Sequence, residues 1–137
     1  MPDQPFAVLG IDHIVLRVRA LAGALRFYRD VLGCPLEREQ PELGLTQLRA
    51  GRSLIDLVTL DGPLGAGEPP GKGPNVEHFC LTLAPFDEPR LIAWLTAHGV
   101  AAHAPDTRYG AQGEGRSLFI EDPEGNHIEL KAGRPEA

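Results

Sequence analysis

The sequence predicts an α+β fold in which two tandem βαβββ modules form a curved mixed sheet with a concave face. Three observations lead to this prediction. Apolar and polar residues alternate at 11–18 and again at 76–83, as in half-buried strands. A helical apolar pattern follows each segment and ends at a glycine, Gly33 or Gly99. Between the halves lies the densest Gly/Pro cluster, at 61–75, where no helix or regular strand can persist.

The first module is predicted over about residues 10–60. Its first strand, IDHIVLRV, turns one apolar face toward the helix, formed by Ile14, Leu16 and Val18. The helix then presents an apolar stripe made of Leu21, Ala24, Leu25, Tyr28 and Leu32. Three short strands are predicted after it, at 35–39, 45–49 and 53–60.

The second module is predicted over about 76–131 and repeats this order. Its helix begins after Asp87, a favourable N-cap, and carries a stripe of Leu91, Trp94, Leu95 and His98. Strands are predicted at 100–104, 116–121 and 126–131, with the turn DPEG between the last two. A repeat of this kind indicates that neither copy completes its core alone, so residues 1–137 are predicted to form one domain with 61–75 as its internal linker.

Composition excludes several functional classes. The chain has 137 residues, with 13 Lys and Arg against 19 Asp and Glu, which gives a net charge of −6. Such an acidic balance argues against a general nucleic-acid binder. No apolar run approaches the roughly 20 residues of a membrane span, so no membrane partner is expected. Two cysteines, and an N-terminus without a secretory pattern, lead us to expect a cytoplasmic protein.

Strand alternation turns several polar side chains to the concave face. His13 and Arg17 lie opposite the apolar face of the first strand, and His78 and Glu129 do the same in the second module. Asp56 shares a face with apolar neighbours, where an unpaired carboxylate is costly unless a metal removes that cost. Two imidazoles with one or two carboxylates suit a divalent Fe, Mn, Ni, Co or Zn ion.

Each candidate also has a plainer interpretation. A strand histidine is commonly a hydrogen-bonded surface residue, and Arg17 either recognises an anion or pairs with a nearby glutamate. Cys80, which alternation also turns inward, is interpreted as a small buried hydrophobe. His127 and Tyr109 are candidates for the rim of the site, and the Gly-rich stretch 108–117 forms either a mobile lid or an ordinary turn.

Three motifs, DHIVLRV, FYRDVLG and FIEDPEGNHIEL, resemble the vicinal oxygen chelate superfamily over about residues 10–131. That superfamily includes glyoxalase I, extradiol dioxygenases, fosfomycin-resistance proteins and bleomycin-binding proteins. The resemblance implies His13, His78 and Glu129 as metal ligands. Asp56 is implied as a weaker ligand, because glyoxalase I carries the longer glutamate there. Arg17 corresponds to an arginine that helps hold the glutathione carboxylate.

The resemblance implies a glyoxalase-like lyase or isomerase that chelates a small oxygen-rich substrate to a divalent metal. Glu129 would be the catalytic base, with Asp56 second. Two alternatives remain open at this point. One is an extradiol-type Fe(II) dioxygenase, and the other is a non-catalytic drug- or metabolite-binding protein of the bleomycin-resistance type. A homodimer is expected, with the modules paired within a chain or swapped between chains.

Overall fold

A computed structural model describes residues 5, 9, 11–66 and 76–135. In the first module the polar–apolar alternation of DHIVLRV produces strand β1, and the apolar stripe behind it produces a helix. The elements are β1 (His13–Val18), α1 (Leu21–Leu25) continued by a π-helical segment (Arg26–Val31), β2 (Leu36–Gln40), β3 (Leu45–Ala50) and β4 (Ser53–Thr59). Of the predicted linker, residues 67–75 lie outside the described residues.

The second module repeats this order. Its helix begins as predicted, because the Asp87 side chain accepts a hydrogen bond from the Arg90 backbone N–H. The elements are β5 (Phe79–Leu83), α2 (Glu88–Ala97), β6 (His103–Gly110), β7 (Gly113–Glu121) and β8 (His127–Ala132). No helix in the described ranges is long and apolar enough to cross a membrane.

Each module forms a four-stranded mixed sheet. The strand orders are β1-β4-β3-β2 and β5-β8-β7-β6, and in each sheet the first and last strands of the module pair in parallel while the other pairs are antiparallel. The predicted α+β fold of two tandem modules is thereby confirmed. In the first sheet, β1 carries His13 and pairs with β4, which carries Asp56. In the second sheet, β5 directly follows His78 and pairs with β8, which carries Glu129.

The Gly-rich stretch 108–117 forms a hairpin with a short turn, in line with the second of its two interpretations. It forms the ends of the paired strands β6 and β7, which are connected by Ala111 and Gln112. A Cβ on Gly110 would lie 2.9 Å from Lys131 Cε, so this glycine leaves room for the lysine stem. Strand β6 also begins at His103, three residues later than predicted.

One hydrophobic core includes residues from both modules. It is formed by the helix-facing sides of the two sheets and by the helices themselves, among them Leu16, Val18, Phe27, Tyr28, Ile55, Leu57, Leu95, Leu118, Ile120, Ile128 and Leu130. Because these faces join in the core, the opposite face of each sheet points away from it.

A buried carboxylate links the two most characteristic sequence motifs. Asp122, in the turn before β8, is 5% exposed and accepts a hydrogen bond from the Tyr28 hydroxyl at 2.6 Å. It also accepts from Asn126 Nδ2 and from the backbone N–H groups of Glu124 and Asn126, each at 2.8 Å. The carboxylate therefore fixes the turn and ties it to the helix of the other module.

Candidate functional site

The sheet faces that point away from the core carry the predicted site residues. On β1, Leu16 and Val18 are fully buried, whereas Val15, which points the other way, is 49% exposed. In the second module, the exposed residue His78 directly precedes β5, and the exposed residue Cys80 lies within it. We call the face of each sheet that points away from the core the donor face of that module. Strand alternation predicted both donor faces.

In the first module, the structure places His13 near Asp56. Strand β4 carries Asp56, which is 7% exposed and accepts a hydrogen bond from Gln47 Nε2 at 3.2 Å. His13 Nδ1 lies 2.7 Å from the Asp12 carboxylate. That hydrogen bond, with the nearby Asp56 charge, raises the pKa of His13. A proton therefore competes with any metal for this imidazole at low pH.

In the second module, His78 Nε2 lies 3.5 Å from Glu129 Oε1. Glu129 is 8% exposed on β8, and Phe119 is its direct neighbour on β7. The Phe119 ring meets the His78 imidazole edge to face, with the ring centroids 5.3 Å apart. The imidazole and the carboxylate are thus adjacent and held on a strand pair.

Both histidines are held by the acidic residue that precedes them. Asp12 binds Nδ1 of His13, and Glu77 Oε1 lies 3.1 Å from Nδ1 of His78. An Nδ1–H donated to a carboxylate leaves the Nε2 lone pair for a metal, which is the usual arrangement around metal-binding histidines. Asp12 and Glu77 were not among the predicted site residues, although the acid directly before His13 and before His78 is visible in the sequence.

The predicted ligands are chemically suited to a divalent metal, but they form two separate pairs, one in each module. Each module offers one imidazole and one carboxylate, the ligands that first-row divalent ions take. Among residues 11–66 and 76–135, however, no three His, Cys, Asp or Glu side chains come together in a group that could hold an ion. The structure therefore brings His13 to Asp56 and His78 to Glu129, and keeps the two pairs separate.

The remaining candidates lie around these pairs. Arg17 Nε donates a hydrogen bond to the Gly65 carbonyl at 3.0 Å, which ties its guanidinium to the start of the linker. His127 Nε2 lies 3.1 Å from Glu121 Oε1 on the exposed surface, and Tyr109 is 81% exposed on β6. Their predicted roles at the rim stay predictions.

Cys80 is exposed rather than buried, contrary to its interpretation as a hydrophobe. Although the residue as a whole is exposed, its sulfur is partly shielded from water; this desolvation, followed by the neighbouring Glu129 charge, raises the pKa of the thiol to about 11. Cys80 is therefore a protonated thiol at neutral pH and a poor nucleophile.

Two relatives of known sequence resemble the chain over most of its length. Catechol-2,3-dioxygenase of Bacillus subtilis is 27% identical over 126 residues, which cover 91% of this chain. The chain spans only 42% of that relative's length. Virulence protein STM3117 of Salmonella typhimurium is 28% identical over 122 residues, covering 88% of this chain and 81% of the relative.

Solved structures share the fold. The crystal structure of virulence protein STM3117 superposes with a TM-score of 0.75 over 94% of this chain and 100% of that chain, at 26% identity. Lactoylglutathione lyase from Agrobacterium tumefaciens superposes with a TM-score of 0.68 over 93% of this chain and 96% of that chain, at 24% identity. Residues 10–130 also match the family described as Glyoxalase/Bleomycin resistance protein/Dioxygenase superfamily. The chain therefore belongs to the Glyoxalase/Bleomycin resistance protein/Dioxygenase superfamily.

Proposed function

We propose that this protein is a glyoxalase-like, metal-dependent lyase or isomerase that acts on a small oxygen-rich molecule. One observation carries the proposal: each module presents a histidine whose Nδ1 is held by a carboxylate, next to a second carboxylate on the same donor face. A surface histidine without a ligand role needs no such arrangement, and here it occurs at equivalent places in both modules.

We further propose that a second copy of the chain completes the site. The helix-facing sides of both modules already pack together in one core. The donor faces lie on the opposite sides of the two sheets, so they cannot pack against each other within one chain. Within the described part of one chain the two donor pairs stay apart, and Val15 exposes apolar surface beside the first pair. A homodimer in which the donor face of one module meets that of the partner's other module would gather four donors and cover Val15.

The residues would divide two tasks, metal binding and proton transfer, and Glu129 would serve in both. His13, His78 and Glu129 would hold the ion, and Asp56 would add a fourth donor through Oδ2, since Oδ1 accepts from Gln47. A bound divalent ion supplies Lewis acidity toward substrate oxygens. The Glu129 carboxylate, sheltered from water and beside His78, would take a proton from one substrate carbon and return it to the next.

A ring-cleaving dioxygenase is the second candidate, and two observations favour it. The chain is similar to catechol-2,3-dioxygenase over 91% of its length. The Gln47 hydrogen bond also engages the short Asp56 side chain, which favours a set of two histidines and one glutamate. These three residues would hold Fe(II), which would supply the chemistry that joins dioxygen to a catechol.

Metal titration tests the proposal. We expect purified protein to bind one divalent ion per chain, and His78→Ala to weaken binding by about 100-fold or more, because a ligand is lost. His103→Ala, on the exposed start of β6, is the matched control and should bind as wild type. A wild-type protein that binds no metal, or a His78→Ala variant that binds normally, would contradict the proposal.

Two reactions then separate the enzyme classes. Isomerisation of the glutathione–methylglyoxal adduct is expected for the leading proposal, and oxygen uptake with catechols for the second. A metal-independent protein that binds a drug or metabolite equally well after His13→Ala would instead be a non-catalytic binding protein.

A further inference from the structure

The second donor face carries a cation that the sequence analysis did not identify. Arg108, on β6, extends along the sheet until its guanidinium carbon lies 5.0 Å from the centre of the Phe119 ring. The same ring also meets the His78 imidazole, with 5.3 Å between the centroids. The guanidinium is thus separated from the predicted metal ligand by a single aromatic ring.

Neutral acceptors hold this guanidinium in place. Nη1 donates to the Ser117 hydroxyl at 2.8 Å and to the Ser117 carbonyl at 3.3 Å, and Nη2 donates to the Ala104 carbonyl at 2.7 Å. Ser117 is fully buried. Ala104 has a φ of 49°, the one positive φ of a non-glycine residue in the described ranges, and it lies in the bulge of β6. The local backbone therefore adopts an uncommon conformation at the residue that fixes Arg108.

The charge of Arg108 has no carboxylate partner within 4 Å among the described residues. Other arginines differ in this respect: Arg19, Arg29, Arg49 and Arg116 each pair with a carboxylate, at 3.7, 2.9, 3.1 and 2.9 Å. Lys131, on the same face, is 3% exposed and donates to the Gly113 carbonyl at 2.9 Å. The second donor face thus carries two positively charged side chains, and both are held by neutral acceptors.

We propose that Arg108 recognises an oxyanion of the substrate, such as a carboxylate or phosphate, and so restricts the site to anionic small molecules. This proposal rests on the proposed function, because the metal and Arg108 would bind different parts of one substrate. Ser117 and Ala104 hold the guanidinium by hydrogen bonds over the Phe119 ring. A guanidinium fixed in this way is suited to pair with a planar oxyanion. Arg108 is a binding residue in this account.

Two probes that differ only in charge test the proposal. 3,4-Dihydroxybenzoate and 3,4-dihydroxybenzamide both offer two adjacent oxygens to a metal, and only the first carries a carboxylate. Calorimetric titration of Mn²⁺-loaded protein should show about 10- to 100-fold tighter binding of the carboxylate probe, because a charge-assisted hydrogen bond is gained. Arg108→Met keeps most of the stem over Phe119 and should reduce the preference to within about threefold.

The controls separate this proposal from the proposed function. Arg116→Met, on the neighbouring strand and paired with Glu88, should keep the full preference. Metal uptake by Arg108→Met should equal that of wild type. If Arg108 only maintained the structure of the site, its loss would weaken metal uptake as well. An unchanged preference in Arg108→Met, or a wild type without preference, overturns the role of Arg108. The same titrations on metal-free protein measure the preference for the carboxylate probe without any metal. They therefore test the role of Arg108 even if the protein takes up no metal and the proposed function is wrong.

Discussion

Glu129→Gln is expected to lower metal affinity by about 100-fold or more, because a neutral amide oxygen replaces a charged ligand. Loss of the proton-transferring carboxylate should lower turnover by about 10²- to 10⁴-fold. The metal-free variant should be at least as stable as wild type. Glu129 is 8% exposed, and the His78 imidazole lies 3.5 Å from its carboxylate. Removing this sheltered charge relieves a desolvation penalty.

Calorimetric metal titration and thermal melting of the metal-free protein measure the two effects. Glu121→Gln is the matched control, since Glu121 lies on β7 in an exposed pair with His127 and should bind metal normally. Equal metal affinity in Glu129→Gln and wild type would rule out Glu129 as a ligand. A large loss of stability in the metal-free variant would show that the carboxylate has a structural task.

Asp122→Ala is expected to destabilise the fold by about 3–5 kcal/mol, the largest loss we expect from one substitution. Four hydrogen bonds disappear together, and the buried Tyr28 hydroxyl and Asn126 side chain lose an acceptor. Tyr28→Phe should cost about 1.5–3 kcal/mol, because it removes one hydrogen bond to a charged group.

Thermal melting at a fixed protein concentration measures these losses. Asp30→Ala is the control: Asp30 is exposed and pairs with the adjacent Arg29, so its removal should cost less than about 1 kcal/mol. If Asp122→Ala melted like the control, the hydrogen-bond network between the turn and the helix would not hold the modules together.

Local patterns in the sequence predicted much of the fold. Alternation in DHIVLRV predicted which face of β1 is buried, and Leu16 and Val18 are indeed fully buried. Helical position and tertiary contact disagree at one residue of α2. Trp94 lies on the predicted apolar stripe of α2, yet it is 51% exposed while its Nε1 donates to the Val31 carbonyl.

The site was less predictable, because it depends on contacts between distant segments. Gln47 reaches Asp56 only through the register of β3 and β4, so the buried carboxylate has an amide partner that composition alone did not suggest. Tyr28 and Asp122 are 94 residues apart, and their hydrogen bond helps to decide which sides of the modules meet. No spacing rule indicates that the donor faces end up separate within one chain.

Mixed dimers test most directly whether two chains build one metal site. Differently tagged His13→Ala and Glu129→Ala chains would be co-expressed, and the dimers that carry both tags isolated. If sites form between chains, one site of each mixed dimer combines an intact first module with an intact second module. We predict one tightly bound divalent ion per mixed dimer and none in either variant homodimer. Mixed dimers that bind no metal, alongside a wild type that does, would contradict the account.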